Sequence, residues 1–311
     1  VNLNETPVKA QPFVKWVGGK RQLQERIAEK VPAFSGRYFE PFLGGGAMFF
    51  HLNPHKAILS DVNKKLINVY SQIKADWEKV AVICDSITQE FEQTLSKSNY
   101  FYEKRTEFNS PSTDEFRSAA LFLFLNKACF NGVYRENSKG QFNVPFGKRD
   151  VIQIYEPSNL KAANLALKDA KLLDLPFEKI LPEYFSKGEK NPDAPVAGDL
   201  VYLDPPYIPL TKTAAFTSYT NDSFGAQAQR ELQERLRDQI TDLTKRGVGV
   251  ILSNSSAEET VRIYQSEGGM ISDSEPVYAS RNVSATSNGR KQVKELILIN
   301  TVVEELLKNG S

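Results

Sequence analysis

Leu200-Val201-Tyr202-Leu203-Asp204-Pro205-Pro206-Tyr207 is an apolar run that stops on a carboxylate, two prolines and a phenol. The first four residues predict a buried strand, entered from Gly198-Asp199. Neither proline has an N–H to give to a sheet ladder, so the strand must end there. Asp204, the proline carbonyls and the Tyr207 ring are therefore presented at the carboxyl end of a strand, the edge where open α/β sheets bind ligands. A carboxylate and a carbonyl together accept both hydrogens of an amino group, and a ring stacks on a flat heterocycle. That suits chemistry on the exocyclic amine of a base. Read alone, the tetrapeptide is equally a strand end closed by a Pro-Pro turn, and the rest of the chain has to decide.

The next piece lies far upstream. Arg37-Tyr38-Phe39-Glu40-Pro41-Phe42-Leu43-Gly44-Gly45-Gly46-Ala47 predicts a strand into Phe42, a glycine turn and a helix opening near Ala47. Three glycines between strand and helix let the backbone lie against a ligand at a helix N-terminus, although the full dinucleotide fingerprint is absent. A second strand, Ala57-Ile58-Leu59-Ser60, ends at Asp61. An acid there is placed either to accept from ribose hydroxyls or to cap the following helix. Before both, Phe13-Val14-Lys15-Trp16-Val17-Gly18-Gly19-Lys20 puts a lysine after a Gly-Gly turn without the spacing of a phosphate-binding loop, ahead of helical spacing at residues 22–31.

From Asn63 a helix is marked by Leu66, Val69, Tyr70, Ile73, Trp77 and Val80 on one face, with Trp77 read as core. Residues 116–130, rich in Ala, Leu and Phe, read as a buried helix. The character then changes. Asn131-Gly132-Val133-Tyr134-Arg135-Glu136-Asn137 and Lys139-Gly140-Gln141-Phe142-Asn143-Val144-Pro145-Phe146-Gly147 predict a hairpin across Ser138-Lys139-Gly140. Arginine, asparagine and glutamine make paired hydrogen bonds to base edges, and aromatics and valine wedge or stack. Beyond it, residues 171–175 read as a third strand and 225–246 as a helix stopped by Gly247. Strands are read at 248–252 and 293–302. The stretch after Tyr207 is too long for a simple turn and reads as a lid carrying Phe216 and Tyr219, and residues 281–290 form a basic loop.

Charge is concentrated. The chain has a net charge of +1, yet residues 8–24, 126–149 and 276–294 each carry a net +4, which leaves −11 on the remainder. Positive stretches on an acidic body are the footprint of a protein that meets a polyanion. Two cysteines without close spacing and only two histidines, His51 and His55, argue against a disulfide framework, a zinc site and histidine acid–base chemistry. The 311 residues hold no run of 18 apolar residues and open on a polar segment, so a cytoplasmic protein with no membrane partner is expected.

With these blocks in order, the chain resembles the Dam-type DNA adenine-N6 methyltransferases, which use S-adenosylmethionine. The match is carried by residues 13–20, 40–46 and 126–147 and by Asp204-Pro205-Pro206-Tyr207, in the order of the family's α arrangement. The resemblance implies an α/β, Rossmann-like methyltransferase fold with a mixed, mostly parallel sheet and helices on both faces. It implies a catalytic, S-adenosylmethionine-binding domain at residues 1–65 and 150–311. A mainly helical target-recognition domain with a β-hairpin would be inserted at 66–149. Trp16, Lys20, Phe42, Gly44, Gly46, Asp61 and Asp204 match cofactor-binding positions. Asp204, the Pro205 carbonyl and Tyr207 match the group that holds a flipped adenine. In the GATC-specific members, Lys15 and Arg135 match residues that read guanines. Phe130, Asn131 and Val133 match residues inserted at or beside the target site, Pro145 matches a position that contacts the recognition sequence, and Asn137 lies in the same recognition region. Phe130 departs from the tyrosine of some members, and Pro176-Phe177 matches poorly the place of a cofactor-adenine contact. The implied substrate is double-stranded DNA, with no metal and no obligatory protein partner, as a monomer or weak dimer, in restriction-modification or another role. Competing readings are an amino-methyltransferase on RNA or a protein amide, and a catalytically silent DNA-binding regulator. Asp rather than Ser at position 204 disfavours cytosine N4.

Overall fold

A computed structural model describes residues 8–16, 18, 23–207, 223–266, 269–272, 277–280 and 292–309, without the side chains of 223–226, 272, 277–280 and 292–294. Lys20, Phe216, Tyr219 and the loop 281–290 lie outside the described residues. In chain order the described strands are β1 (Tyr38–Glu40), β2 (Ala57–Ser60), β3 (Ala170–Leu173), β4 (Leu200–Leu203), β5 (Gly249–Ser255), β6 (Ile271–Ser272), β7 (Val277–Ser280) and β8 (Gln292–Ile299). The chain divides into two compact units. The first comprises the described parts of Val1–Lys20, Gly44–Asn53 and Asp61–Asp174; the second comprises those of Arg21–Leu43, Pro54–Ser60 and Leu175–Ser311. No described helix is long and apolar enough to cross a membrane.

The first unit is mainly helical. Helix Lys64–Gln93 opens on Asn63, whose side chain accepts from the Leu66 N–H at 3.0 Å. Helix Lys97–Phe108 opens on Ser96, Glu115–Ala128 on Asp114 and Pro157–Leu167 on Glu156, each with a side-chain cap that satisfies orphan N–H groups. Asp76 breaks the long helix, with φ −160° and ψ 86°, and its carboxylate caps the restart by accepting from the Lys79 N–H at 2.9 Å. The buried stripe keeps its spacing across the break. Trp77, expected in the core, is only half-buried, and Val80, Cys84, Ile87 and Phe91 carry the apolar face onward. Helix Glu115–Ala128 is buried continuously from Ala119 to Asn126, as a helix apolar all round must be. It stops short of the expected Phe130 because Cys129 turns extended, with φ −73° and ψ 167°, and Asn131 and Gly132 beyond it take φ of +56° and +65°.

The second unit is built on a mixed sheet in the order β2-β1-β4-β5-β8-β6, with β7 also paired to β8. The run β2-β1-β4-β5 is parallel, and β8 is antiparallel to β5. β1, β2, β4 and β5 are buried along their whole length, which is why they read as unbroken apolar runs. Arg37 starts β1 and β4 together: its N–H and guanidinium bind the buried Asp199 carboxylate at 2.6 and 2.8 Å. Helices cover both faces. Gln233 of helix Ser223–Lys245 meets Asn254 on one face of β5. Val303 of helix Thr301–Asn309 packs over Gly249 on the other. The strand expected through 302 ends at Ile299, because the Asn300 side chain accepts from the Val303 N–H and starts that helix.

Candidate active site

From β1 the chain passes to β2 on one side, and β4 later joins β1 on the other. The strand order therefore reverses between β1 and β4, and ligands bind beyond the carboxyl ends of strands at such a point. Two segments of the second unit leave there: Glu40-Pro41-Phe42 and Asp204-Pro205-Pro206-Tyr207. Asp204 and Tyr207 are half-buried, Pro205 is buried and Pro206 is exposed. The Pro206 carbonyl accepts from Gln233 Nε2 at 2.7 Å, whereas the Pro205 carbonyl accepts no hydrogen bond among the described residues. The Tyr207 hydroxyl donates to Glu295 Oε2 at 3.1 Å and lies 3.3 Å from Ser253 Oγ. Burial pushes the Tyr207 phenol well above its ordinary range, and the negative charges of Asp204 and Glu295 push it further. The buried Tyr38 hydroxyl donates to Glu40 Oε2 at 2.8 Å, and burial raises its pKa and that of Tyr202 in the same direction. The phenols stay protonated, and the rim is rich in acceptors. It can hold a group that brings N–H donors. Phe42 is half-buried, its ring 5.5 Å from that of Phe177.

The glycine turn belongs to the first unit. Gly44 has φ +48°, and a Cβ there would come 2.6 Å from Cδ1 of Trp16, so the backbone lies directly on the indole. Gly46 has φ +65°, and a Cβ there would meet the Tyr70 hydroxyl at 2.8 Å. That hydroxyl donates to the Gly44 carbonyl at 3.1 Å. Asp61 Oδ2 accepts from the Gly44 N–H and Oδ1 from the Asn63 N–H, both at 2.9 Å. Asn63, not Asp61, caps the following helix. Each Asp61 oxygen keeps acceptor capacity for a hydroxyl. Burial raises the Asp61 pKa, against the lowering effect of its backbone hydrogen bonds. A carboxylate with free lone pairs beside a glycine turn packed on an indole fits the ribose and base of a nucleoside cofactor. Lys20, expected in the same group, lies outside the described residues.

The hairpin is also in the first unit, with Glu136 bridged antiparallel to Phe142 and Asn137 and Gln141 closing the turn. Asn137 Oδ1 accepts from the N–H groups of Lys139 and Gln141. Lys65 reaches up from its helix to Glu136 at 3.1 Å and the Gly140 carbonyl at 2.7 Å. Arg135 is exposed, and its Nε donates to Asn143 Oδ1 at 2.8 Å, which fixes the guanidinium plane. Phe130, Asn131 and Pro145 are exposed and Val133 is half-buried; the Phe130 N–H donates to the Pro145 carbonyl at 2.9 Å. Lys15 is brought to this group by a residue that the sequence reading did not single out. Asn126, 1 % exposed, accepts from the Lys15 N–H at 2.7 Å. It donates back to the Lys15 carbonyl at 2.9 Å and to that of Gly132 at 3.2 Å. Its only signal was an amide inside an otherwise apolar helix. Tyr134 stacks on Trp16 at 5.6 Å and on Phe122 at 5.0 Å, joining the hairpin to the indole under the glycine turn. Beside the hairpin lies a cavity of about 420 Å³ lined by Arg105, Asn109, Asn137, Gln141 and Asn143 among others.

Against known proteins, residues 16–275 match the family model described as D12 class N6 adenine-specific DNA methyltransferase. The type II methyltransferase M1.LlaDCHI of Lactococcus lactis subsp. cremoris is 36% identical over 301 residues, covering 96% of this chain and 98% of that protein. The type II methyltransferase M.MjaIII of Methanocaldococcus jannaschii is 36% identical over 308 residues, covering 94% of this chain and 100% of that protein. The DNA adenine methylase of Escherichia coli strain K12 is 32% identical over 291 residues, covering 94% and 95%.

Proposed function

The chain belongs to the D12 class of N6 adenine-specific DNA methyltransferases, and from that premise we propose that it transfers a methyl group to N6 of an adenine flipped out of duplex DNA, within GATC. The fold is the Rossmann-like one of that class, and the chain is an adenine-specific DNA methyltransferase. The observation that carries the substrate reading is the tetrapeptide. Asp204 and the uncommitted Pro205 carbonyl are two acceptors beside one ring, while the neighbouring Pro206 carbonyl is already taken.

An amine conjugated to a purine is a poor nucleophile because its lone pair is delocalised. Flipping the adenine costs roughly a few kcal/mol of stacking and pairing. Asp204 and the Pro205 carbonyl then accept the two N6 hydrogens, which draws the nitrogen toward tetrahedral geometry and localises the lone pair. Tyr207 stacks on the base, its phenol kept neutral and anchored on Glu295. Trp16, Lys20, Phe42, Gly44, Gly46 and Asp61 hold the cofactor, with Asp61 accepting from ribose hydroxyls. S-adenosylmethionine, when bound, supplies an electron-poor methyl on a sulfonium. The residues' part is positioning and preorganised acceptors. Lys15 and Arg135 read guanines, Phe130, Asn131 and Val133 fill or border the space left by the adenine, and Asn137 and Pro145 support the same surface. Residues 66–149 supply most of this recognition surface, and the cytoplasm, where duplex DNA is at hand, is its place of action.

The experiment is transfer from labelled S-adenosylmethionine to unmethylated duplex DNA, with the modified bases mapped. N6-methyladenine confined to GATC is expected. N6-methyladenine at another sequence would overturn the specificity and keep the chemistry. Equal turnover on RNA or on a protein amide would overturn the DNA reading.

A further inference from the structure

The Gln233 side chain is fully buried, although it belongs to the polar stretch of helix Ser223–Lys245. Its Nε2 donates to the Pro206 carbonyl at 2.7 Å. Its Oε1 accepts from Asn254 Nδ2 at 2.9 Å and from the Tyr264 hydroxyl. Tyr264 is itself fully buried, on the π-helical turn Arg262–Ser266. Single widened turns of this kind are rare and gather at functional sites. One amide therefore ties three elements to the end of β4: its own helix, the end of β5 and the π-turn. Apolar side chains at all of these positions would fill the same space with no buried hydrogen-bonding groups, so what the network adds is fixed geometry.

What it fixes is the tetrapeptide backbone. Proline locks φ, and Pro206 restricts the ψ of Pro205 before it, but the ψ of Pro206 is left free, so the peptide plane after Pro206 is not set by the rings alone. Holding the Pro206 carbonyl toward Gln233 sets that plane. It keeps that carbonyl from competing for a donor, and it limits how the preceding one can turn. We propose that Gln233 is a positioning residue for methyl transfer, which acts by clamping the Pro206 carbonyl so that the Pro205 carbonyl and Asp204 face the target amine. This rests on the reading that those two acceptors hold the amine. The sequence offered no sign of it, because Gln233 lies 27 positions from its partner in a helix whose other glutamines face solvent or half-buried positions.

The test uses Gln233→Glu and Gln233→Leu in the full chain. A protonated glutamic acid repeats the pattern of the amide: its O–H donates to Pro206 and its carbonyl accepts from Asn254 and Tyr264. The ionised form has no donor and sets a negative oxygen against the Pro206 carbonyl. Burial favours the protonated form at higher pH than usual for glutamate. The expected result is that kcat of Gln233→Glu relative to the natural enzyme rises about tenfold as pH is lowered from about 8.5 to about 6. The KM for S-adenosylmethionine stays unchanged, and the relative kcat of Gln233→Leu stays low and flat. Melting curves at each pH separate this from loss of folded protein, and should Gln233→Leu not fold, the pH response of Gln233→Glu decides. A flat ratio for Gln233→Glu, or an undiminished kcat in Gln233→Leu, would overturn the proposal. Transfer to adenine by the natural enzyme that is lost in Asp204→Ala upholds the underlying reading, and a flat ratio then removes Gln233 alone. No transfer to adenine by the natural enzyme removes both.

Discussion

At the scale of single residues, Gly44 and Asp204 make opposite kinds of demand. Gly44 is required for space and conformation: φ is +48°, and a Cβ would stand 2.6 Å from the Trp16 ring. An alanine there meets both the left-handed strain and a rigid indole, so Gly44→Ala is expected to cost about 1–3 kcal/mol of stability. It should also weaken cofactor binding, as read by thermal unfolding with and without S-adenosylmethionine. An unchanged melting temperature would mean that the indole moves aside. Asp204 is required for chemistry. It is half-buried at a strand end and carries no packing duty comparable to that of Leu203 before it. Asp204→Ala should therefore leave the fold intact by circular dichroism and abolish methyl transfer, since the amine loses the charged one of its two acceptors. Near-normal turnover in a folded variant would sink the mechanism.

At the scale of elements, the hairpin and the helix pair beneath it respond to different tests. Arg135 projects from the hairpin with its Nε held by Asn143, so the outer guanidinium nitrogens are oriented before any ligand arrives. Arg135→Ala should relax discrimination at one guanine by about 1–3 kcal/mol, measured as competing turnover on duplexes changed at single positions. An unchanged preference would remove Arg135 from recognition. Below, Glu107 of helix Lys97–Phe108 takes Arg117 of the next helix at 2.6 and 3.2 Å, and Lys104 bridges Glu90 and Glu107. The Arg117 hydrogen bonds hold the Glu107 carboxyl below its ordinary value of 4.5, although burial pulls the other way. A depressed acid binds fewer protons folded than unfolded. Its stabilisation is therefore full above 4.5 and is lost as pH falls through the depressed folded value. Glu107→Gln should lower the melting temperature at neutral pH and flatten its fall in acid; a parallel acid limb in the variant would deny the linkage. Asp61, raised by burial, works in reverse and favours the fold most at low pH. These elements also show what a sequence discloses. β2 and β4 were legible to the residue, because a buried parallel strand must be an apolar run and each ended on a breaker or an acid. The glycine turn, the tetrapeptide and the hairpin were legible because each concentrates rare residue types in a short span. The break at Asp76 was not, since the periodicity of Leu66 to Ile73 runs through it unchanged to Trp77 and Val80. Nor were Asn126, Gln233 and Glu295, whose partners lie 111, 27 and 88 positions away. Asn126 shows only as an amide in an apolar helix, and none of the three carries a local pattern that names its partner.

At the scale of the whole molecule the controlling quantity is where charge lies, not how much there is. A chain of net charge +1 has no overall attraction for a polyanion, yet residues 8–24, 126–149 and 276–294 carry +12 between them. Were binding to duplex DNA a matter of total charge, removing any one lysine would matter equally. Were it a matter of those stretches, position would decide. Lys139, at the exposed turn of the hairpin, and Lys187, exposed on a loop outside all three stretches, differ in nothing but place. Each neutralised phosphate releases counterions, so affinity falls with salt at a slope of about −0.9 per contact. Lys139→Ala should reduce the magnitude of that slope by roughly one, while affinity for specific and nonspecific duplexes falls alike. Lys187→Ala should leave the slope where it was. Equal slopes for both variants would return the three stretches to ordinary solvated loops and leave the hairpin's amides and Arg135 to account for binding. A loss confined to one duplex sequence in Lys139→Ala would instead move Lys139 from the phosphate backbone to a base edge.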